Sequence, residues 1–331
     1  VFAAAACAPS SPSSSPSSSP PPATPEEEPV VDDGPCPALG VGLSAEETGD
    51  FVAGDVPDGV VVLMGGAAEV DRASARFVDG AGGGDVLVLR ATGSTSSYTS
   101  YFADELSALV TVPARSVSTV RVDDAAAGDD PGLLCRLRRA DAVWLAGGDQ
   151  SNYLVRWPAA LHQGLRDAVA RGAAVGGTSA GAMSFSAVAF DARDGGVTSD
   201  EALADPDSAV ISITASPFSA VDDVIVDTHF QARDREGRLL VFMAHEATSI
   251  RGVGIDEGTA LVIDGDSASV FANDGGAVWL YEHTGAALQA GQPLSVERAV
   301  RAPFIDGQTM PWPADISDGD VFSVDDGVIV D

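Results

Sequence analysis

The chain has no lysine: its 18 basic residues are all arginine, set against 49 acidic ones, for a net charge of −31. So little positive charge excludes the electrostatic footprint that nucleic-acid and anionic-membrane binders need. Acidity of this kind keeps a surface protein dissolved and can steer cationic ligands. Cysteine is scarce, at positions 7, 36 and 135 only, and no Cys/His cluster has metal-ligand spacing, which argues against a structural zinc site. Long apolar runs are missing too, since none approaches the ~20 residues of a membrane-spanning helix. Histidine is limited to His162, His229, His245 and His283, so the search for a general base is short.

What is present changes along the chain. Residues 1–7 place small residues before Cys7, and residues 9–37 are rich in Ser, Pro and Glu with little to bury. That order reads as the remnant of a signal sequence and lipobox at 1–7, with Cys7 as the lipidation site, followed by a tether over 8–38. Ala4 stands where a branched apolar residue is usual, so plain secretion, or an alanine-rich terminus with neither role, stays open. The export reading points to the cell envelope or the exterior of a bacterium, with the membrane as partner only through an N-terminal lipid anchor. In that oxidising setting Cys36 and Cys135 could pair, although two free thiols fit the sequence equally well.

From residue 60 short apolar runs alternate with longer amphipathic ones, the pattern of a parallel sheet covered by helices. Residues 60–64, 85–90, 116–122, 142–145 and 173–175 read as strands, and 67–81, 97–110, 131–139 and 157–171 as helices. Three further strands, 260–263, 269–272 and 277–281, are separated by Asp-Gly turn signals and read as an antiparallel extension. One domain is expected over 39–290, with 291–331 as an irregular extension packed on it, whose runs 321–324 and 328–330 could add an edge. In such sheets ligands bind at the carboxyl ends of the strands. Gly65-Gly66, Gly147-Gly148-Asp149-Gln150 and Gly177-Thr178-Ser179 all fall at that edge.

The last of these loops continues as Gly176-Gly177-Thr178-Ser179-Ala180-Gly181-Ala182, a strand, a glycine-flanked serine and a helix start in succession. This is the form of a nucleophile elbow, although a glycine-rich chain also produces G-x-S-x-G by chance. A serine hydroxyl needs a base, usually histidine held by a carboxylate. His229 directly follows the buried-strand signature Val224-Ile225-Val226-Asp227, which puts it at the same sheet edge as Ser179. His162, His245 and His283 read as structural or surface residues. Asp256-Glu257 follows another apolar step, and either acid could orient His229; a solvated turn is the plain alternative.

Three segments together, GGTSAGA at 176–182, VDTHFQARDREGRLL at 226–240 and GVGIDEGTALVIDGD at 252–266, resemble the cyanophycinase and aspartyl dipeptidase group of serine peptidases. AGGDQ at 146–150 matches the same group. The resemblance implies a flavodoxin-like doubly wound α/β fold related to class I glutamine amidotransferase domains, with helices on both faces. It also implies Ser179 as nucleophile, His229 as base and Glu257, rather than Asp256, as the orienting acid. Asp191, Asp194 or Glu201 in the loop after the elbow is the minority placement for that acid.

The expected reaction is acyl transfer to water, with an oxyanion held by the Ala180 N–H and one from Gly148 or Asp149. No metal or organic cofactor enters it. The resemblance assigns substrate contacts to Gln150 and to Arg233, Arg235 and Arg238, whose guanidinium groups suit a carboxylate. Pairing of these arginines with Asp234 and Glu236 is the local alternative. Two departures bear on specificity: Thr228 stands where the group has Gln, and residues 214–218 lack the expected glycines. The partner expected is therefore a peptide or dipeptide bearing aspartate, such as β-linked Asp-Arg in cyanophycin, or an Asp-X or isoaspartyl dipeptide. A non-catalytic binding lipoprotein is the alternative class, and a homodimer is left open.

Overall fold

The computed structural model describes residues 34–52, 59–246 and 250–331; the expected leader remnant with Cys7, and the tether as far as residue 33, lie outside the described residues. The apolar runs form a nine-stranded sheet in the order Leu43–Glu47, Ser116–Val122, Asp85–Arg90, Ala142–Leu145, Ala174–Thr178, Val60–Met64, Thr259–Asp264, Ser267–Ala272 and Thr309–Pro311. The five strands from Ser116–Val122 to Val60–Met64 run parallel, and their flanking strands are antiparallel.

Period-two alternation divides the parallel strands between two cores. Leu63, Leu87, Leu89, Val143 and Leu145 pack with Leu133 and Leu137 of helix Pro131–Arg139 and with Leu161 and Leu165 of helix Ala159–Ala170. Val62, Met64, Val86, Val88 and Trp144 pack on the opposite face with Phe77 of helix Asp71–Gly80 and with Phe102. Helices therefore cover both faces of a mostly parallel sheet, as an α/β fold requires.

A second sheet of eight strands takes up most of the remaining chain, in the order Val328–Val330, Asp320–Asp325, Ser295–Ile305, Ala277–Ala287, Arg251–Ile255, Val221–Thr228, Ser186–Phe190 and Ile213–Ala215. Val221–Thr228 is parallel to both of its neighbours. Val226, Val253 and Ile255 face the core that holds Leu63, while Ile225 and Tyr281 pack against Leu239 and Phe242 of helix Glu236–Ala244.

Several expectations from sequence are corrected. The helix expected over 97–110 is Ser96–Ser100 followed by one wide turn, Tyr101–Glu105, and the helix expected over 67–81 starts only at Asp71, so 67–70 is loop. The three strands over 260–281 do not form one extension: two join the first sheet, and Ala277–Ala287, which carries His283, is internal to the second. Residues 291–331, read as irregular, contribute four strands, including the eleven-residue Ser295–Ile305. The chain is fastened upstream of the expected start at Leu39, since Cys36 is disulfide-bonded to Cys135 and Arg136 Nη1 donates to the Pro37 carbonyl (3.0 Å). Among the described residues no helix is long and apolar enough to cross a membrane.

Candidate active site

Ser179 sits between strand Ala174–Thr178 and a single helical turn, Ala180–Ser184, with φ 53° and ψ −120°. A non-glycine residue takes such a backbone only when its surroundings enforce it, and a sharp strand-to-helix turn is one place where they do. The enforcement here is close packing on the next strand. A Cβ on Gly177 would lie 2.6 Å from the Leu145 carbonyl oxygen, and one on Gly181 would overlap that same oxygen. The Ser179 N–H donates to the Met64 carbonyl (2.9 Å), tying the turn to the end of Val60–Met64.

His229 follows strand Val221–Thr228 and also has positive φ, 49°. Its N–H donates to the Gly65 carbonyl (2.8 Å), so the loop after Val60–Met64 holds both residues from one side. The result is a hydrogen-bonded line: Ser179 Oγ lies 2.8 Å from His229 Nε2, and His229 Nδ1 lies 2.6 Å from Glu257 Oε1. Burial holds the imidazole below its ordinary value; the Glu257 hydrogen bond opposes this, and the Arg233 and Arg235 charges add to it. A mostly neutral imidazole near pH 7 can accept a proton from the serine. The N–H groups of Gly148, Asp149 and Ala180 are engaged by no other group among the described residues, which leaves them free as anion donors.

The two adjacent acids divide their work. Asp256 accepts from the Gln231 N–H (3.0 Å), the Ala277 N–H (2.9 Å) and the Trp279 indole N–H (3.2 Å), and Glu257 alone reaches the imidazole. The acids of the loop after the elbow point elsewhere. Asp191 binds Arg193 and Ser212, and Glu201 completes a capping box with Thr198 at its own helix start. Neither is hydrogen-bonded to His229, and Asp194 is likewise not among its partners. The other histidines bind carbonyls, His162 that of Tyr153 and His245 that of Pro206.

A cleft of about 350 Å³ opens on Ser179, lined by Gly148, Gln150, Thr228 and the three arginines among others. A larger cavity of about 710 Å³ lies at the opposite strand ends, beside Gly59, Val221 and Ile250, and contains neither Ser179 nor His229. The arginines do not pair with Asp234 or Glu236. Arg238 instead forks onto buried Asp227 through Nε and Nη2 (both 2.7 Å), and Arg235 Nη1 reaches Asp227 (3.1 Å) and the Thr228 carbonyl (2.7 Å). Arg233 is exposed and has no ion-pair partner among the described residues. Asp149 at the rim faces Arg156 (3.8 Å), so Asp227 is left to balance the arginines and the cleft keeps surplus positive charge.

Gln150 spends its amide N–H on the Phe190 carbonyl (3.0 Å), and the buried Thr228 hydroxyl has no partner. Residues 214–218 line no part of this cleft, so the missing glycines there do not shape it directly.

Two contributors escaped the sequence reading. Asp227 was visible only as a charge inside an apolar strand run. Gly66 was placed at the ligand edge of the sheet but given no role, yet a Cβ there would stand 2.6 Å from both Cε1 and Nε2 of His229.

Residues 68–271 match the model of Peptidase family S51. A cyanophycinase of Synechococcus elongatus is 35% identical over 156 residues, 46% of this chain and 45% of that protein, so the match spans less than half the relative's length. A cyanophycinase of Geminocystis herdmanii (strain PCC 6308) is 28% identical over 213 residues, 62% of this chain and 74% of that protein. The crystal structure of a peptidase from an acI-B1 Actinobacterium shares the fold with a TM-score of 0.53 at 17% identity, over 76% of this chain and 96% of that one.

Proposed function

This chain belongs to Peptidase family S51, and on that premise we propose that it is a serine-type peptidase that uses Ser179, His229 and Glu257 to hydrolyse an amide beside a carboxylate. The reading rests above all on the unbroken line from Ser179 Oγ through the imidazole to Glu257 Oε1. Ser179 Oγ bonds to the carbonyl carbon as its proton passes to His229 Nε2. The tetrahedral intermediate collapses as the C–N bond breaks, and that proton goes to the leaving amine. Water then repeats both steps on the acyl-serine and releases the acid. Glu257 keeps the proton on Nδ1, so that Nε2 is the free base, and stabilises the imidazolium that forms. The Ala180 N–H, with that of Gly148 or Asp149, receives the oxyanion.

The surplus positive charge of the cleft supports a substrate with a carboxylate near the scissile bond, and about 350 Å³ suits a dipeptide-sized group. The two relatives described above are named cyanophycinases, which makes β-linked Asp-Arg peptides the first substrates to test. Thr228, shorter than the Gln of the group it resembles, favours Asp-X or isoaspartyl dipeptides as the second class. The test is dipeptide release from cyanophycin beside a panel of Asp-X and β-Asp-X dipeptides, with Ser179→Ala as control. Turnover that Ser179→Ala abolishes without lowering Tm supports the reading, and turnover retained by that variant contradicts it.

The proposal extends to location, with acylation of Cys7 anchoring the protein to the bacterial envelope. Cys7→Ser is expected to move it from the membrane to the soluble fraction, and unchanged fractionation would remove this part.

A further inference from the structure

The Glu257 side chain makes one hydrogen bond, to His229, and is 37% exposed, and its carbonyl takes only a long bond from the Thr259 hydroxyl (3.4 Å), so little in its own contacts holds it in place. What surrounds it is fixed by its neighbour. Asp256 Oδ1 accepts from the N–H of Gln231, two residues after His229, and Oδ2 accepts from the N–H of Ala277 and the indole of Trp279. The Asp256 N–H in turn donates to the Ala277 carbonyl (3.1 Å), and the Thr259 N–H donates to the Asp256 carbonyl (3.2 Å). One carboxylate thus joins the turn that carries His229, the loop that carries Glu257 and the strand Ala277–Ala287. Gly65 closes the fourth side, since a Cβ there would overlap the Asp256 carbonyl oxygen.

We infer that Asp256 is a positioning residue: its carboxylate sets the His229 turn and the Glu257 loop against each other and so maintains the Nδ1–Oε1 contact. This inference rests on the Ser179, His229 and Glu257 reading above. Every acceptor site Asp256 uses faces an N–H, so Asp256→Asn keeps the shape but turns an amide NH₂ toward at least one donor. Without the clamp the Glu257 loop is still held by backbone bonds, Gly258 N–H to the Gly66 carbonyl (3.0 Å) and Gly65 N–H to the Thr259 carbonyl (2.9 Å), but the carboxylate tie to the His229 turn is gone. A displacement of about 1 Å in such a group can cost up to ~100-fold in rate.

The test uses the full chain and the rate at which a fluorophosphonate labels Ser179, measured against pH. Asp256→Asn is expected to label at least about tenfold more slowly. Its acid limb is expected to move to lower pH, because the Glu257 hydrogen bond raises the imidazole's proton affinity while burial, Arg233 and Arg235 lower it. Glu257→Gln should shift the limb the same way, and the double variant should be no slower than Glu257→Gln alone, since Asp256 acts through Glu257. Wild-type rate and limb in Asp256→Asn, or losses that multiply in the double variant, overturn the inference. If Asp256→Asn fails to fold by circular dichroism, Trp279→Phe carries the test, because it withdraws one donor from Oδ2. A slower rate with the limb displaced downward supports the clamp, and an unmoved limb overturns it. Failure of the underlying reading looks different, as labelling that is absent in wild type or persists in Ser179→Ala, and takes this inference with it.

Discussion

Ser179 and His229 share an uncommon backbone, positive φ on residues other than glycine, and both are held there by hydrogen bonds to the end of one strand and the loop after it. Such strain survives only where packing over-determines it, which gives the pair a fixed separation before any ligand arrives. The charges around the pair set its pH range. With the folded value of His229 lowered, the neutral base persists below the ordinary imidazole range of about 6.5, and activity should fall only as pH drops through that lowered value. Arg233→Ala removes one of the lowering charges, so the acid limb of kcat/KM should rise toward 6.5. For a carboxylate-bearing substrate KM should also increase, by roughly tenfold for one lost charge-assisted contact. A pH–rate series on both enzymes checks this, and a limb that stays put with KM unchanged would show that Arg233 faces neither the base nor the substrate.

The parallel strands were legible in the sequence because their runs are buried on both faces, and the loops after Val60–Met64, Ala142–Leu145 and Ala174–Thr178 because they carry glycines. What was not legible is which sheet a strand joins. Ser295–Ile305 keeps Val296, Ala299 and Val300 buried among exposed Glu297 and Arg298, and its register against Asp320–Asp325 shifts between Val296 and Ala299, so its alternation is broken. The residues by themselves left Asp256 and Glu257 open, and only the family resemblance chose Glu257, for a related reason: adjacent acids at a strand end differ only in the direction each side chain takes, which the strand Ala277–Ala287 decides. The loop after Val60–Met64 shows the same dependence on neighbours. Gly66 has φ +94° and lies under the imidazole, so Gly66→Ala should push the ring off Ser179 and lower kcat by about 100-fold or more, with a smaller effect on Tm. Kinetics and a thermal melt on this variant measure both, and normal kcat would mean that the ring is not held where the loop leaves room for it.

Across the whole molecule, the first core is shared by both sheets, so the elements that carry Ser179 on one sheet and His229 and Glu257 on the other are fixed by common packing. The entry of the chain is fastened by other means. The Cys36–Cys135 disulfide spans 99 residues of sequence, and closing a loop of that order stabilises a fold by about 2–5 kcal/mol, mainly through the unfolded chain. Replacing both cysteines by serine should therefore lower Tm clearly, while kcat at room temperature stays close to wild type because neither cysteine lines the cleft. A double variant with unchanged Tm would deny the bond its structural role. The central claim, that both sheets converge to make one serine nucleophilic, is tested most directly by intact-mass analysis of the full chain after exposure to a fluorophosphonate. The account predicts a single adduct, mapped to Ser179 and absent from Ser179→Ala and His229→Ala. No adduct on the folded wild-type chain, or an adduct at another residue, would contradict it.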